Sequence, residues 1–460
     1  MGYPNILDDA NNLLHRALHQ AVSQSQQAGD QALSRAAHQN SIHFYNYALN
    51  SIKNLPPAQI SATQIIDINL QIIQPYIIQG QLDMAEDLLA ETLQMATDIQ
   101  DTGRIIETTL LALLFHWIKG DYPRCIQISE HLLRQYPVPE NQQITLSARI
   151  AGVYFDRGQF RKAEQINQKN IGLLKKSNSL KTKLGLLTIA SIQPYMHSSQ
   201  IAAFRGKFDL AYQYARNAQQ VSAECNHPFS QAYVDARLGS IYVRQGLFST
   251  ALFYLENNQR FCIFSQNQLF GPYVAMIPFV KAQLGNIQEG LDEFHRCFQP
   301  ESLNQIQKNY ISQIFGWYAE TLLLAGQYKQ ALQACQKALT NANQLEERSN
   351  QAWLCCLKAE ILLHLPNPLQ QEEKITHLLS ESLQLCENEG MRPQQAHGYV
   401  VLGKLYHLQG EFKKTEQFFA RAYGLYVEMG MFFYCYKLST YCQNHPQLAV
   451  ILKKPPLTTP

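Results

Sequence analysis

Eight glycines recur along the chain at Gly80, Gly120, Gly158, Gly206, Gly246, Gly285, Gly326 and Gly410, with successive gaps of 40, 38, 48, 40, 39, 41 and 84 residues. The last gap is two units of 42. Two residues after each glycine stands Leu82, Tyr122, Phe160, Phe208, Phe248, Ile287, Tyr328 or Phe412, all large and apolar. Five residues after each stands Ala85, Cys125, Ala163, Ala211, Ala251, Gly290, Ala331 or Thr415, all small. Such a beat describes a helix pair. The glycine takes the left-handed conformation that ends the first helix. The large residue packs into the elbow, and the small one lets the second helix approach closely. One instance of this pattern says little; eight in register dictate a chain of hairpins.

The upstream halves of the units are patchier. Tyr399, Leu402, Gly403 and Tyr406 fit the aromatic-x2-Leu-Gly-x2-Tyr pattern of a tetratricopeptide repeat (TPR), and Phe412, Phe419 and Ala422 continue it. Leu238, Gly239 and Tyr242 keep the same signature. Tyr76 and Tyr154 keep only the aromatic residue, and Ala151 and Ala319 stand where the helix glycine belongs. Pro194 is expected to kink or break the first helix of its unit, and Pro278 to disturb the unit around Gly285. A longer loop, Leu365-Pro366-Asn367-Pro368, replaces one turn. The reading is all-α: one right-handed α-solenoid of about ten TPR-like helix pairs with a period near forty, each unit burying its apolar face only against its neighbours. Its parts are an N-terminal helix over 1–30, the TPR-like superhelix over 31–445 and a frayed tail over 446–460. Residues 28–57 form a helix pair closed by Pro56-Pro57, and a last helix runs from Phe432 to Tyr441.

Composition excludes several functional classes. Lys and Arg number 38 against 36 Asp and Glu, a net charge of +2, where a nucleic-acid binder carries a basic excess or stripe. The densest basic stretch, Lys175, Lys176, Lys181 and Lys183, reads as a solvated helix end. Ten cysteines show no C-x-x-C and no metal-ligand spacing, which suits a reducing compartment. The N-terminus lacks a secretory pattern, and Ile6 breaks a myristoylation motif at Gly2. The longest apolar run, Leu110 to Ile118, is too short to span a bilayer. A cytoplasmic protein that binds neither membrane nor nucleic acid is expected.

Catalytic motifs are missing as well. There is no phosphate-binding G-x-x-x-x-G-K-[ST], no H-E-x-x-H and no G-x-S-x-G. His15 and His19 share a helix face but lack a third ligand. Cys355 and Cys356 point about 100° apart on a helix and read as small core residues. Trp117, Trp317 and Trp353 read as core. No enzyme, cofactor or metal is expected. What a solenoid offers instead is a concave face lined by the first helix of each pair. Positions 13, 10, 6, 3 and 2 before each turn glycine face it, which selects Thr145, Asp156, Tyr233, Arg244, Gln313, Glu320, His397, Lys404 and His407. His397 and His407 either line that groove or replace charged surface residues. The mixture is aromatic and polar, without a repeated Lys/Asn clamp for a peptide carboxylate. The partner expected there is a protein or peptide, or a small-molecule inducer.

With this period in place, the chain resembles the helical sensor region of bacterial signalling ATPases of the STAND type, MalT-like and LuxR-like, including members fused to class III adenylate or guanylate cyclases or to protein kinases. The likeness is carried by AGDQALSRAAHQNSIHFYNYALNSIKNLP, by LDMAEDLLAETLQMATDIQDTGR with IKGDYPRCIQISEHLL, and by SNQAWLCCLKAEILLH with ESLQLCENEGMRPQQAHGYVVLGKLYHLQG. It departs from the family at Leu357 and Ala359, where Arg or Lys and Gly are common, and in a less acidic final segment. The resemblance implies a non-catalytic protein-interaction or ligand-sensing module that regulates an ATPase or cyclase. A stand-alone TPR adaptor or scaffold is the alternative, with an α-solenoid enzyme or RNA binder more remote. The nucleotide-binding module and the effector domains of that family have no counterpart in these residues.

Overall fold

A computed structural model describes residues 4–184, 187–298 and 308–448. The chain is 83% helical, with 21 α-helices and no strand among the described residues. They are α1 (Pro4–Ser34), α2 (His38–Lys53), α3 (Ala62–Ile78), α4 (Leu82–Asp98), α5 (Thr102–Ile118), α6 (Tyr122–Gln135), α7 (Glu140–Asp156), α8 (Phe160–Lys176), α9 (Ile192–Phe204), α10 (Phe208–Glu224), α11 (Pro228–Gln245), α12 (Phe248–Ser265), α13 (Gly271–Gln283), α14 (Ile287–Cys297), α15 (Ile311–Leu324), α16 (Tyr328–Gln344), α17 (Arg348–Leu363), α18 (Glu372–Glu389), α19 (Arg392–Leu408), α20 (Phe412–Glu428) and α21 (Phe432–Gln443). Ten helix pairs and a last helix make up the α-solenoid.

The glycine beat is a turn. All eight glycines have positive φ, between 68° and 104°. After each, the next residue's N–H reaches back five residues, as from Gln159 to the Tyr154 carbonyl at 2.8 Å and from Glu411 to Tyr406 at 2.9 Å. This is the Schellman closure that satisfies a helix's last carbonyls. The small residues five positions on are all buried, Ala163, Ala211, Ala251, Ala331 and Thr415 at 0% exposure.

Several local expectations fail. Helix α1 continues through residue 30 to Ser34, and its partner is α2, so residues 28–57 do not form a self-contained pair. Gly29 lies within α1 and faces the Tyr45 ring, where a Cβ would come within 2.6 Å. Asp30 accepts a 2.6 Å hydrogen bond from the Tyr45 hydroxyl, fastening α1 to α2. Pro194 does not kink a helix. It lies in the first turn of α9, where its missing N–H removes no bond. Helix α13 passes through Pro278 unbroken. The last helix extends to Gln443. Of the tail 446–460, residues 449–460 lie outside the described residues.

The chain divides into two compact units. The first holds residues 1–146 and 260–269. Its core includes Tyr45, Ile52, Ile66, Ile72, Ile73, Leu113 and Phe115. The 260–269 segment is fastened to the end of α3 by Gln268 N–H donating to the Ile78 carbonyl at 2.9 Å.

The second unit holds residues 147–259 and 270–460. First helices of successive pairs touch one another from α9 through α11, α13, α15 and α17 to α19, forming an inner row. Helix α19 also touches α9, so the row closes on itself. One buried cluster joins Ile192, Met196, Ala202, Phe208 and Leu238 from the early pairs to Ala396, Phe419, Tyr426, Met429 and Cys435 from the late ones. Another joins Phe155, Phe160, Ala163 and Ile201 to Ala352, Cys386 and Met391. A polar seam runs along this closure. Arg157 pairs with Glu346. Glu389 accepts the Phe160 N–H at 3.1 Å, and Lys437 donates to Gln283 at 3.2 Å.

Candidate functional site

Closure turns the concave face of the second unit into an interior. On α11, Tyr233, Arg237, Ser240 and Arg244 are spaced by four, three and four residues and so occupy one helix face. Arg237 is 6% exposed. Its guanidinium carbon lies 5.0 Å from the Tyr233 ring centre, 5.3 Å from Phe155 on α7 and 5.6 Å from Tyr273 on α13. Gln200 holds the backbone beneath it, donating to the Arg237 carbonyl at 2.9 Å and to Ser240 Oγ at 2.6 Å. His197 stacks on Phe155 with ring centres 5.2 Å apart, and its Nε2 lies 3.2 Å from the Tyr233 hydroxyl. Burial, reinforced by the Arg237 charge, lowers the His197 pKa well below the usual imidazole range, so the ring is neutral. Asp156 bears electrostatically on Tyr233 and Arg237. Arg237 Nε and His197 Nδ1 have no hydrogen-bond partner.

A second group lies near the last helix. Arg244 sits 3.6 Å above the Phe204 ring centre, and burial lowers its pKa to about 10. His397 Nδ1 is 2.7 Å from the Tyr426 hydroxyl, and the Tyr434 ring meets its imidazole edge-on at 4.6 Å. Burial, then the Arg244 and Lys437 charges, bring His397 down to about 3. Glu320 accepts a 2.5 Å hydrogen bond from Trp353 Nε1, and burial pushes its carboxyl up to about 7. Burial also raises Glu360, but the Lys404 ammonium 2.5 Å away and the nearby His364 outweigh it, giving about 2. Trp317 and Trp353 are half-buried rather than core, with ring centres 4.5 Å apart and Phe279 4.7 Å beyond.

The structure places the nine sequence-selected residues unevenly. Tyr233, Asp156, Arg244, Glu320, His397 and Lys404 all join these two groups. His407 sits farther along α19, 3.1 Å from the Tyr441 hydroxyl. Gln313 is half-buried on α15. Thr145 is buried in the first unit, its hydroxyl bonded back to the Asn141 carbonyl at 3.3 Å. The selection missed Arg237, His197 and Trp317. All three stand nine residues before a turn glycine, as does Arg149, so the register carried a signal at a position it did not include.

Among the described residues no group of three His, Cys, Asp or Glu side chains converges as a metal site. Nine described cysteines are free. Burial raises Cys355 and Cys356, the latter well above the ordinary thiol range, which suits inert core residues. No helix of the described residues is long and apolar enough to cross a membrane.

No family model matches the chain, and no curated protein is similar to it in sequence. Among solved structures it is similar to a Rap protein complexed with competence and sporulation factor, at 10% identity, 89% of this chain, 98% of that chain and a TM-score of 0.43. It is similar to the STAND protein with a tetratricopeptide repeat sensor from Pyrococcus horikoshii, at 12% identity, 86% of this chain, 56% of that one and a TM-score of 0.43. It is similar to yeast Tom70, at 12% identity, 94% of this chain, 98% of that one and a TM-score of 0.39.

Proposed function

We propose that the second unit is a non-catalytic binding and regulatory module that takes a small ligand or a short segment of a protein partner into its closed interior. The observation that carries this is chemical. The inner row presents the polar groups of Arg237, Arg244, His197 and Glu320 among the rings of Tyr233, Trp317 and Trp353, and Arg237 Nε, His197 Nδ1 and Trp317 Nε1 have no hydrogen-bond partner. Arg237 lies there with no ion pair. Polar groups of this kind destabilise a fold unless something satisfies them, and ligand sites combine aromatic walls with a few convergent polar groups. Among the described residues no metal cluster accompanies them, and binding is the function proposed. The resemblance to STAND sensors supports placing such a module as the regulatory arm of a cytoplasmic bacterial signalling ATPase or cyclase, with ligand occupancy read through the seam.

The test is native mass spectrometry of the chain expressed in its host, paired with hydrogen exchange. A retained small molecule or peptide, together with slower exchange over 233–244 than in the stripped protein, is the expected result. A chain that carries nothing from its host, and whose exchange over 233–244 is unchanged by host extract, refutes the proposal.

A further inference from the structure

The guanidinium of Arg237 is enclosed by three aromatic rings, and its Nε is left without a hydrogen-bond partner. Tyr233, Phe155 and Tyr273 approach it from three different helices, each at cation–π distance. Its five N–H donors lie in its plane, and the Tyr233 hydroxyl is a hydrogen-bond partner of the group. In a group 6% exposed, Nε has no hydrogen-bond partner, and among the described residues no carboxylate forms an ion pair with the side chain. Asp156 contributes negative potential. The walls of the cage are themselves held in place. Gln200 and Ser240 hold the backbone of this helix turn, and His197, stacked on Phe155 and hydrogen-bonded to Tyr233, locks two of the three walls. His197 leaves a second polar atom, Nδ1, unpartnered beside them. A buried guanidinium that leaves its Nε–H unpartnered and makes no ion pair among the described residues is complementary to a planar anion whose oxygens accept from Nε and an adjacent Nη.

We propose that Arg237 is the anchor of a carboxylate-binding subsite, in which the carboxylate of the ligand forks onto the guanidinium edge within the Tyr233, Phe155 and Tyr273 cage. This rests on the binding role proposed above and names the ligand chemistry. The carboxylate can belong to a small organic acid or to the C-terminus of a peptide. Tyrosine and phenylalanine walls favour a flat or apolar group beside it.

The test follows Arg237 itself. Side-chain guanidinium resonances of the full chain are recorded by 15N NMR, the Arg237 signal being the one absent from R237K. Formate, benzoate and a short C-terminal-acid peptide are added at millimolar concentration, each against chloride at equal ionic strength. Benzamide and the C-terminal-amide peptide are the neutral controls. Formate is small enough to reach any open guanidinium edge. The expected result is a saturable shift of the Arg237 signal with formate and with at least one larger acid, none with the amides, and binding weakened at least about tenfold in both R237M and R237K. Benzoate selects the small-acid source and the peptide the C-terminal source. An Arg237 signal indifferent to all three acids, or acid binding to R237M within about twofold of wild type, overturns the subsite. Persistence of amide or host-ligand binding in that case leaves the wider binding role standing, so the two failures are distinguishable.

Discussion

His227 shows how the fold uses a neutral imidazole. Its Nδ1 accepts the Ser230 N–H at 3.2 Å and so caps the start of α11, a bond available only while that nitrogen is unprotonated. Burial lowers its pKa to about 4, and that of His397 to about 3. In the unfolded chain both titrate near 6.5. Above that pH neither state carries the proton, and their contribution is complete. As pH falls below about 6.5 the unfolded chain takes up protons that the fold refuses, so stability falls, by about 1 kcal/mol per pH unit for each histidine. Urea unfolding at pH 7.5 and 5.5 is expected to show this loss, and H397Q to shrink it; an equal loss in H397Q shows that His397 protonates normally in the fold. Glu320 has the opposite sign. Its folded pKa is raised to about 7, so its contribution is full below about 4.5 and is lost as pH rises through 7. E320Q keeps an acceptor for the Trp353 N–H and is expected to gain about 1–2 kcal/mol at pH 8 and almost nothing at pH 4.

At the scale of the helix pair, one turn design serves two kinds of junction. Within eight of the ten pairs it uses glycine, which the sequence displays, and Gly390 and Gly430 repeat it after the last two pairs. Between pairs the same five-residue reach-back occurs at Gln100, Asn178, Asn226, Gln266 and Glu346, all with φ between 44° and 54°. No glycine marks these positions, so they are silent in the sequence. A non-glycine residue in this conformation costs about 1 kcal/mol. Q100G is expected to raise stability by about 0.5–1 kcal/mol, read as a higher denaturant midpoint at unchanged slope; a lower midpoint refutes it. Close helix approach has the reverse sensitivity. A Cβ on Gly239 would lie 2.6 Å from two carbons of the Leu255 side chain, and one on Gly403 would overlap the Phe419 ring. G239A and G403A are expected to lose about 1–3 kcal/mol by overpacking. The large residues two positions after the turns were all expected in elbows. Phe160, Phe208 and Phe248 are buried, while Phe412 is 45% exposed. Phe248 is covered by Phe433, ring centres 4.8 Å apart, a residue almost two hundred positions away.

At the scale of the second unit, closure depends on a small number of polar bridges over a continuous apolar core. Glu389, its side chain 10% exposed, caps the start of α8 from a helix far along the chain, where the local residue, Gln159, offers no side-chain cap. E389A therefore leaves a buried N–H unsatisfied and is expected to lose about 1–2 kcal/mol. Faster hydrogen exchange is expected at Phe160 and Arg161, and over 346–349 across the seam. Uniform exchange throughout the unit contradicts the seam as a separable device.

The number of helix pairs, their turns and the small residues at their crossings were legible from residue type and spacing alone, because each is a local requirement: positive φ, a short side chain, an apolar partner three or four residues away. The polar character of Tyr233, Arg244, Glu320, His397 and Lys404 was legible too, from register. That these side chains face one another inside a closed unit rather than lining an open groove was decided only by tertiary structure. Closure depends on contacts between residues such as Arg157 and Glu346, or Phe248 and Phe433, whose separation along the chain exceeds any period the sequence displays. The caged Arg237 belongs to the same class. Its three aromatic walls come from α7, α11 and α13, and nothing in any one of those helices announces the other two.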